Sequence, residues 1–300
     1  MKRIWRSRST LSQQYFPSGF LLSALIVALL ASNLAQAEDQ QDTPAWIKRT
    51  EFSVQLESDQ KPQFYLQTVQ PLYQDHDKIN TFFIQPRASI QAQHGTYNLG
   101  LGYRRLSSEN FILGTNVFFD FEDEHRHGRM GLGVEALGQV VEARANAYFG
   151  GITNNVRSKT VSTGDIIERV ADGADLEFGM PVPYMPWLKF YGSGFWYDYI
   201  KFADRFGWKS RLEAKMNEAV RLEFFTWDDN KGDTEYGARI RFNVAFGNPF
   251  EIREAFQLSD DPFPKKDLSE ELLIPVERDF NITVESYTES NGLIVEAGRS

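Results

Sequence analysis

Between residues 50 and 247 apolar side chains recur at alternate positions in run after run, while the three-to-four-residue spacing of an amphipathic helix is scarce. In the run 97–104, Tyr97, Leu99, Leu101 and Tyr103 fall on one face and Asn98, Gly100, Gly102 and Arg104 on the other. The next run sets Phe111, Leu113, Thr115, Val117 and Phe119 against Ile112, Gly114, Asn116, Phe118 and Asp120. Further along, Val141, Ala143, Ala145, Ala147 and Phe149 oppose Glu142, Arg144, Asn146 and Tyr148, and Tyr236, Ala238, Ile240, Phe242, Val244 and Phe246 oppose Glu235, Gly237, Arg239, Arg241 and Asn243. Twelve such runs begin near residues 51, 63, 81, 96, 110, 127, 140, 173, 187, 207, 218 and 234, those at 63 and 187 alternating poorly. Most are about 9 to 12 residues long, the length of a tilted strand crossing an outer membrane, whereas soluble sandwich strands run to about 5 or 6. The pattern predicts an all-β fold, a twelve-stranded antiparallel transmembrane β-barrel whose even strand number closes the sheet and removes its edges.

The cost of charge in lipid assigns the faces. An Arg turned to lipid near the midplane costs about 2–4 kcal/mol, so Arg144, Arg211, Arg239 and Arg241 are predicted to point inward. The same alternation turns Arg87, Arg104, Glu135, Glu142, Glu177 and Glu213 into the lumen, with Lys209, Arg221, Asp120 and Glu223. Gly100, Gly102, Gly114, Gly131 and Gly133 share that inner face on three successive strands. They would form either a smooth strip where a backbone approaches closely or positions that ease curvature. Short links at 107–109, 138, 184–186 and 217–218 alternate with longer ones at 122–126, 152–172, 200–206 and 228–233, as in porin-like barrels. The first links fit less well, 74–78 being longer than a turn at His94-Gly95. The competing soluble sandwich would have to gather Phe111, Phe119, Phe242 and Phe246 into a single core.

Ahead of the alternating region, Lys2, Arg3, Arg6 and Arg8 precede the apolar stretch 20–34, and Ala35-Gln36-Ala37 leads into Glu38. That is the plan of a secretory signal peptide, with the small residues Ala35 and Ala37 preceding the cut and Glu38 beginning the mature chain. An uncleaved anchor is the alternative, and fifteen residues containing Ser23, Ser32 and Asn33 are short for a span. The expected divisions are 1–37 signal, 38–50 periplasmic stub, 51–247 barrel and 248–300 tail. The formal net charge of the 300 residues is −9, and it becomes −13 once the four leading cations are removed. An acidic chain lacks the cationic footprint that nucleic acid requires, so no nucleic-acid partner is expected. The absence of Cys excludes disulfides and thiol chemistry.

Several motifs resemble the translocator barrel of the intimin/invasin proteins, the inverse autotransporters. They are Gln70-Pro71-Leu72-Tyr73, the run Asn98 to Arg104, Leu113-Gly114 with Phe118-Phe119-Asp120, His127-Gly128-Arg129 with Gly131-Leu132-Gly133, Ala145 to Phe149, and Pro275-Val276-Glu277-Arg278-Asp279. Their order covers about residues 46 to 290. The resemblance implies a twelve-stranded Gram-negative outer-membrane barrel in contact with lipid and lipopolysaccharide. Its following linker would re-enter the lumen and lead surface adhesin domains outward. No peptidoglycan-binding module fits between Glu38 and Trp46 and no immunoglobulin-like passenger fits after residue 290, so a stand-alone form is expected. Such a barrel would translocate or display its own tail, or a separate secreted partner, and would support adhesion to a surface receptor or biofilm formation. A small diffusion pore is the alternative and an outer-membrane hydrolase the third class. Residues 251–271 carry seven acidic against three basic side chains, which predicts a tail held in a mildly positive lumen by charge complementarity. Glu235, Gly237, Ile240 and Phe242 in the last strand match the short pattern associated with recognition by the barrel assembly machinery, to which periplasmic chaperones deliver barrels.

Chemistry has few candidates. None of His76, His94, His125 and His127 is followed at the second position by Ser, and there is no Gly-x-Ser-x-Gly elbow. Asp123 with His125 would suit a general-base pair for activating water, or an ordinary solvated loop. His125 and His127, two apart, would hold a metal with Asp123 only if a further ligand joined them. Gly100-x-Gly102 has no following helix to make a dinucleotide site. No catalytic residue, cofactor or metal is therefore expected.

Overall fold

The computed structural model describes residues 44–151, 156–161, 164–217, 219–244, 256–290 and 293–296. The chain divides into Met1–Asp42 and Thr43–Ser300, and the described residues all belong to the second unit. Ala35, Ala37 and Glu38 of the expected cleavage site lie outside them.

A single turn of helix α1 (Ala45–Lys48) leads into β1 (Thr50–Glu57), β2 (Gln63–Thr68), β3 (Gln70–Gln74), β4 (Asn80–Gln91), β5 (His94–Ser108) and β6 (Phe111–Glu122). There follow β7 (Gly128–Gly138), β8 (Glu142–Phe149), β9 (Val156–Val161), β10 (Gly164–Val170), β11 (Asp172–Val182) and β12 (Met185–Asp198). The chain continues through β13 (Arg205–Lys215), β14 (Val220–Asp229), β15 (Glu235–Asn243), a 3-10 helix (Leu268–Leu273), β16 (Val284–Ser290) and β17 (Leu293–Glu296). Neighbours in sequence pair antiparallel from β3 to β8, β8 then pairs with β11, and the ladder runs on to β15, β1 and β2, which closes on β4. Strands β2 and β3 are two pieces of one wall strand, parted at Val69, whose amide extends the β1–β2 pairing by one step to the Arg49 carbonyl at 3.3 Å. Counted so, the barrel has the twelve antiparallel strands that the alternation predicts.

Burial alternates along the walls in the inverse sense of a soluble protein. In β5 and β6, Leu99, Leu101, Phe111, Leu113 and Phe119 stand exposed on the outside, while Asn98, Arg104, Asn116 and Asp120 are buried inside. With Phe111 and Phe119 on the outer surface, no sandwich core exists for them, and the expected soluble alternative is excluded. Phe246 lies outside the described residues. From β5 onward connections are short at one end of the barrel and longer at the other; the first links break this rule, since 75–79 lies at the short end and the tight turn after β4, on Ala92 and Gln93 and not on His94-Gly95, lies at the long end. Both turn residues have positive φ, 54° and 78°, the sense that matches the right-handed twist of a hairpin.

Two features depart from the sequence reading. The connection expected as a plain loop from 152 to 172 carries β9 and β10, which form a second sheet with the C-terminal hairpin in the order β17-β16-β10-β9. The second concerns which part of the tail is held: the expected re-entry into the lumen is seen, but over residues 262–283 and not over the acidic run 251–271 as a whole. Residues 262–283 start beside the short turn at Tyr184, whose amide bonds to the Pro262 carbonyl at 3.0 Å, and end where the Ala171 amide meets the Thr283 carbonyl at 3.0 Å.

Candidate functional site: the lumen and its linker

The linker enters on an apolar step. Leu268 and Leu272 of the 3-10 helix are buried against Ile112 and Leu137 of the wall. Asp267 caps this helix by accepting from the Ser269 amide at 2.8 Å. Its last carbonyls are collected by one wall cation: Arg104 Nη1 donates to the Leu272 and Ile274 carbonyls at 3.2 and 2.6 Å while its Nε bonds Glu135 at 2.6 Å. A buried guanidinium thus satisfies a helix end that would otherwise lack partners.

Halfway through, Val276 and Phe280 pack with Val69, Phe83 and Phe118. The rings of Phe118 and Phe83 lie over Gly100 and Gly102 of β5, in the space a Cβ at either glycine would fill. Only Gly131 is covered by the linker itself, through the Arg278 guanidinium; Gly114 faces Glu135, and Gly133 faces Asn116 and Asn146. The expected strip of direct backbone approach is thereby corrected: four of these five glycines make room for wall side chains, for rings at Gly100 and Gly102 and for polar groups at Gly114 and Gly133.

Charge is paired both across and along the strands. Arg211 meets Glu177 at 2.7 Å and Glu223 at 3.3 Å, and Arg144 meets Glu142 at 2.8 Å. Arg239 donates to Gln55 and reaches Glu223 at 3.2 Å, Arg241 lies 3.6 Å from Glu213, and Arg87 sits over the Tyr65 and Phe280 rings. The linker inserts both signs into this mesh. Glu277 accepts from Arg241 at 2.7 Å, Arg278 makes two bonds of 2.8 Å to Asp120, and Lys266 reaches Glu142 at 3.4 Å. The Asp279 amide bonds to the Tyr148 hydroxyl, and Tyr197 donates to its carboxylate at 2.6 Å. The acidic run 251–271 is not what the wall holds. Asp260, Asp261, Asp267 and Glu270 are exposed, Glu271 pairs with Lys266 of the linker itself, and Glu251 and Glu254 lie outside the described residues. Residues 276–281 take that role, since they are the ones brought level with Asp120, Arg129 and Arg241.

In the closing strand, Gly237, Ile240 and Phe242 pair with Glu57, Val54 and Phe52 of β1, and Glu235 hydrogen-bonds Ser58. The four positions of the expected assembly signal therefore line the seam of the closed barrel.

At the long-connection rim, His125 Nδ1 and His127 Nε2 lie 3.2 and 2.9 Å from one oxygen, Oε2 of Glu168 in β10. The His127 hydrogen bond holds the Glu168 carboxyl below the ordinary carboxylate range. Asp123 is not part of this group, because its carboxylate accepts from the Gly95 amide at 2.8 Å. Glu122 takes its place beside the two imidazoles. Sequence reading missed Glu168, which is 41 residues from His127 and reaches it only through the β9–β10 hairpin. It also missed Arg278 as an ion-pair partner, although the Pro275–Asp279 motif contains it.

The attaching and effacing protein homolog of Escherichia coli (strain K12) is 26% identical over 159 residues, which are 52% of this chain and 53% of that protein. The chain thus spans about half the length of this curated relative. A barrel solved in a study of in-meso crystallization of membrane proteins matches with a TM-score of 0.60 at 20% identity, covering 79% of this chain and 99% of its own. The outer membrane phospholipase A of Escherichia coli gives 0.44 at 11% identity, over 72% and 97% of the two chains. Residues 24–254 match the model of the inverse autotransporter β-domain, a family of translocator barrels and not of enzymes. The chain belongs to the inverse autotransporter β-domain family and is an outer-membrane β-barrel of Gram-negative type.

Proposed function

We propose that this barrel holds its own C-terminal segment through the lumen and displays it at the cell surface. The path of residues 262–283 from the short-turn end to the long-connection end carries this reading, with β16 then joining the sheet at the far rim. Short turns face the periplasm in such barrels, so the tail would emerge outside. The apolar outer face would sit in lipid and lipopolysaccharide, and the β15–β1 seam would be closed by the assembly machinery after periplasmic chaperoning. A role in adhesion, through a surface receptor or a separately secreted partner, follows from display of this kind. A diffusion pore is the competing reading, and the linker's ion pairs to Asp120 and Arg241 speak against it. Proteolysis of intact cells bearing an epitope after Ser300 tests the proposal: loss of the epitope without lysis is expected, and an epitope cut only after the outer membrane is opened would overturn it.

A further inference from the structure

We propose that Glu122, His125, His127 and Glu168 form a binding site for a divalent cation of zinc-like softness, which fastens the tail-bearing sheet to the barrel rim. Ligand atoms of Glu122, His125 and His127 all lie within 4.8 Å of one another. Glu168 adds a second carboxylate against the two imidazoles, its Oε2 being within 3.2 Å of a nitrogen from each. A tetrahedral site with bonds of about 2.1 Å has edges of about 3.4 Å. The nitrogen–oxygen separations of 2.9 and 3.2 Å are already close to such edges. Two imidazoles and two carboxylates suit zinc and its transition-metal neighbours better than calcium or magnesium, which prefer oxygen alone.

The surroundings shape the group for this use. Glu122 Oε1 accepts from the Glu124 and His125 amides at 2.7 and 3.2 Å, which folds the loop around the carboxylate and leaves Oε2 for an ion. His127 is buried and its Nδ1 has no hydrogen-bond partner, so the ring is anchored through Nε2. Arg157 of β9 clamps the same loop by donating to the His125 and Arg126 carbonyls at 3.0 and 2.9 Å. Since Glu168 is in register with Ser286 of β16, a cation here would join the β6–β7 connection to the strand that carries the tail.

The full-length mature chain without a histidine tag, folded in detergent, is titrated with zinc chloride by calorimetry and with cobalt(II) by visible absorption. One equivalent of zinc bound at micromolar affinity and a tetrahedral cobalt band are expected. His125→Ala, at a side chain 41% exposed, should weaken zinc at least tenfold while leaving the barrel folded by gel mobility. Glu168→Gln should do the same, and Glu124→Gln should change affinity less than twofold. Zinc should also slow amide exchange in β10 and β16 of the unaltered chain only. Absence of saturable zinc binding up to about 100 µM, or unchanged affinity in folded His125→Ala and Glu168→Gln, would overturn the site. Binding without slower exchange would overturn the fastening role.

Discussion

Asp120 accepts from Arg129 of the wall and from Arg278 of the linker, and the side chains of all three are 1% exposed or less. Removing one member of such a group leaves an uncompensated charge away from water, which typically costs about 3–5 kcal/mol. Asp120→Ala is therefore expected to lower unfolding stability by that order, read from urea titration in micelles. Asp120→Ala combined with Arg278→Ala should cost clearly less than the sum of the two single changes, because the second removes a charge the first has stranded. Gly102→Val makes a steric prediction: its side chain would occupy the place of the Phe83 ring and push it into Val276. A loss of about 1–3 kcal/mol follows from such overpacking, and Phe83→Ala in the same chain should recover part of it. The inward direction of Arg104, Arg144 and Arg211 is legible in sequence because lipid penalises the opposite choice. The use of Gly100 and Gly102 is not, because it depends on which ring the neighbouring strand brings alongside.

Strand β10 separates what local pattern can reveal from what it cannot. Ten of the twelve wall strands announce themselves because lipid outside and charge inside impose a period of two, those beginning near 63 and 187 only weakly. In β9 and β10 no such contrast exists; Val156–Lys159 stands exposed on both faces and Ile166–Arg169 half-buried on both, so the segment reads as a loop. Its partner β16 lies more than 100 residues away, and pairing of that kind leaves no mark in a single sequence. The linker's route is likewise encoded in contacts such as Gln85 to the Val276 amide, 191 residues apart. The register offers a direct test, since Ile166 stands opposite Thr288 and the native chain has no cysteine to confuse the result. Ile166→Cys with Thr288→Cys should form a disulfide on mild oxidation, seen as a reduction-sensitive mobility shift after cleavage between them. Ile166→Cys with Ser290→Cys, out of register, should cross-link far less.

The barrel and its linker share two apolar clusters and several ion pairs, so at the scale of the molecule they act together: the wall supplies partners for the linker, and the linker fills the lumen. The polar interior of an outer-membrane barrel is a water-filled channel in porins and is closed in others by a segment that plugs it. Above the linker a cavity of about 860 Å³ remains, lined by Tyr65, Arg87, Trp227, Glu277 and Asn281, and the 3-10 helix with Leu268 and Leu272 stands at the other end. Single-channel conductance in planar bilayers should accordingly be small for the whole chain. Deletion of residues 251–300 should raise it several-fold, with ion selectivity then set by the exposed wall charges. Glu277→Ala with Arg278→Ala should give an intermediate result, brief openings in place of a steady current, because the apolar clusters would still hold the segment once its ion pairs are gone. Equal conductance in the whole and shortened chains would mean that the segment does not occlude the lumen in a membrane, and the display reading would lose its physical basis along with it.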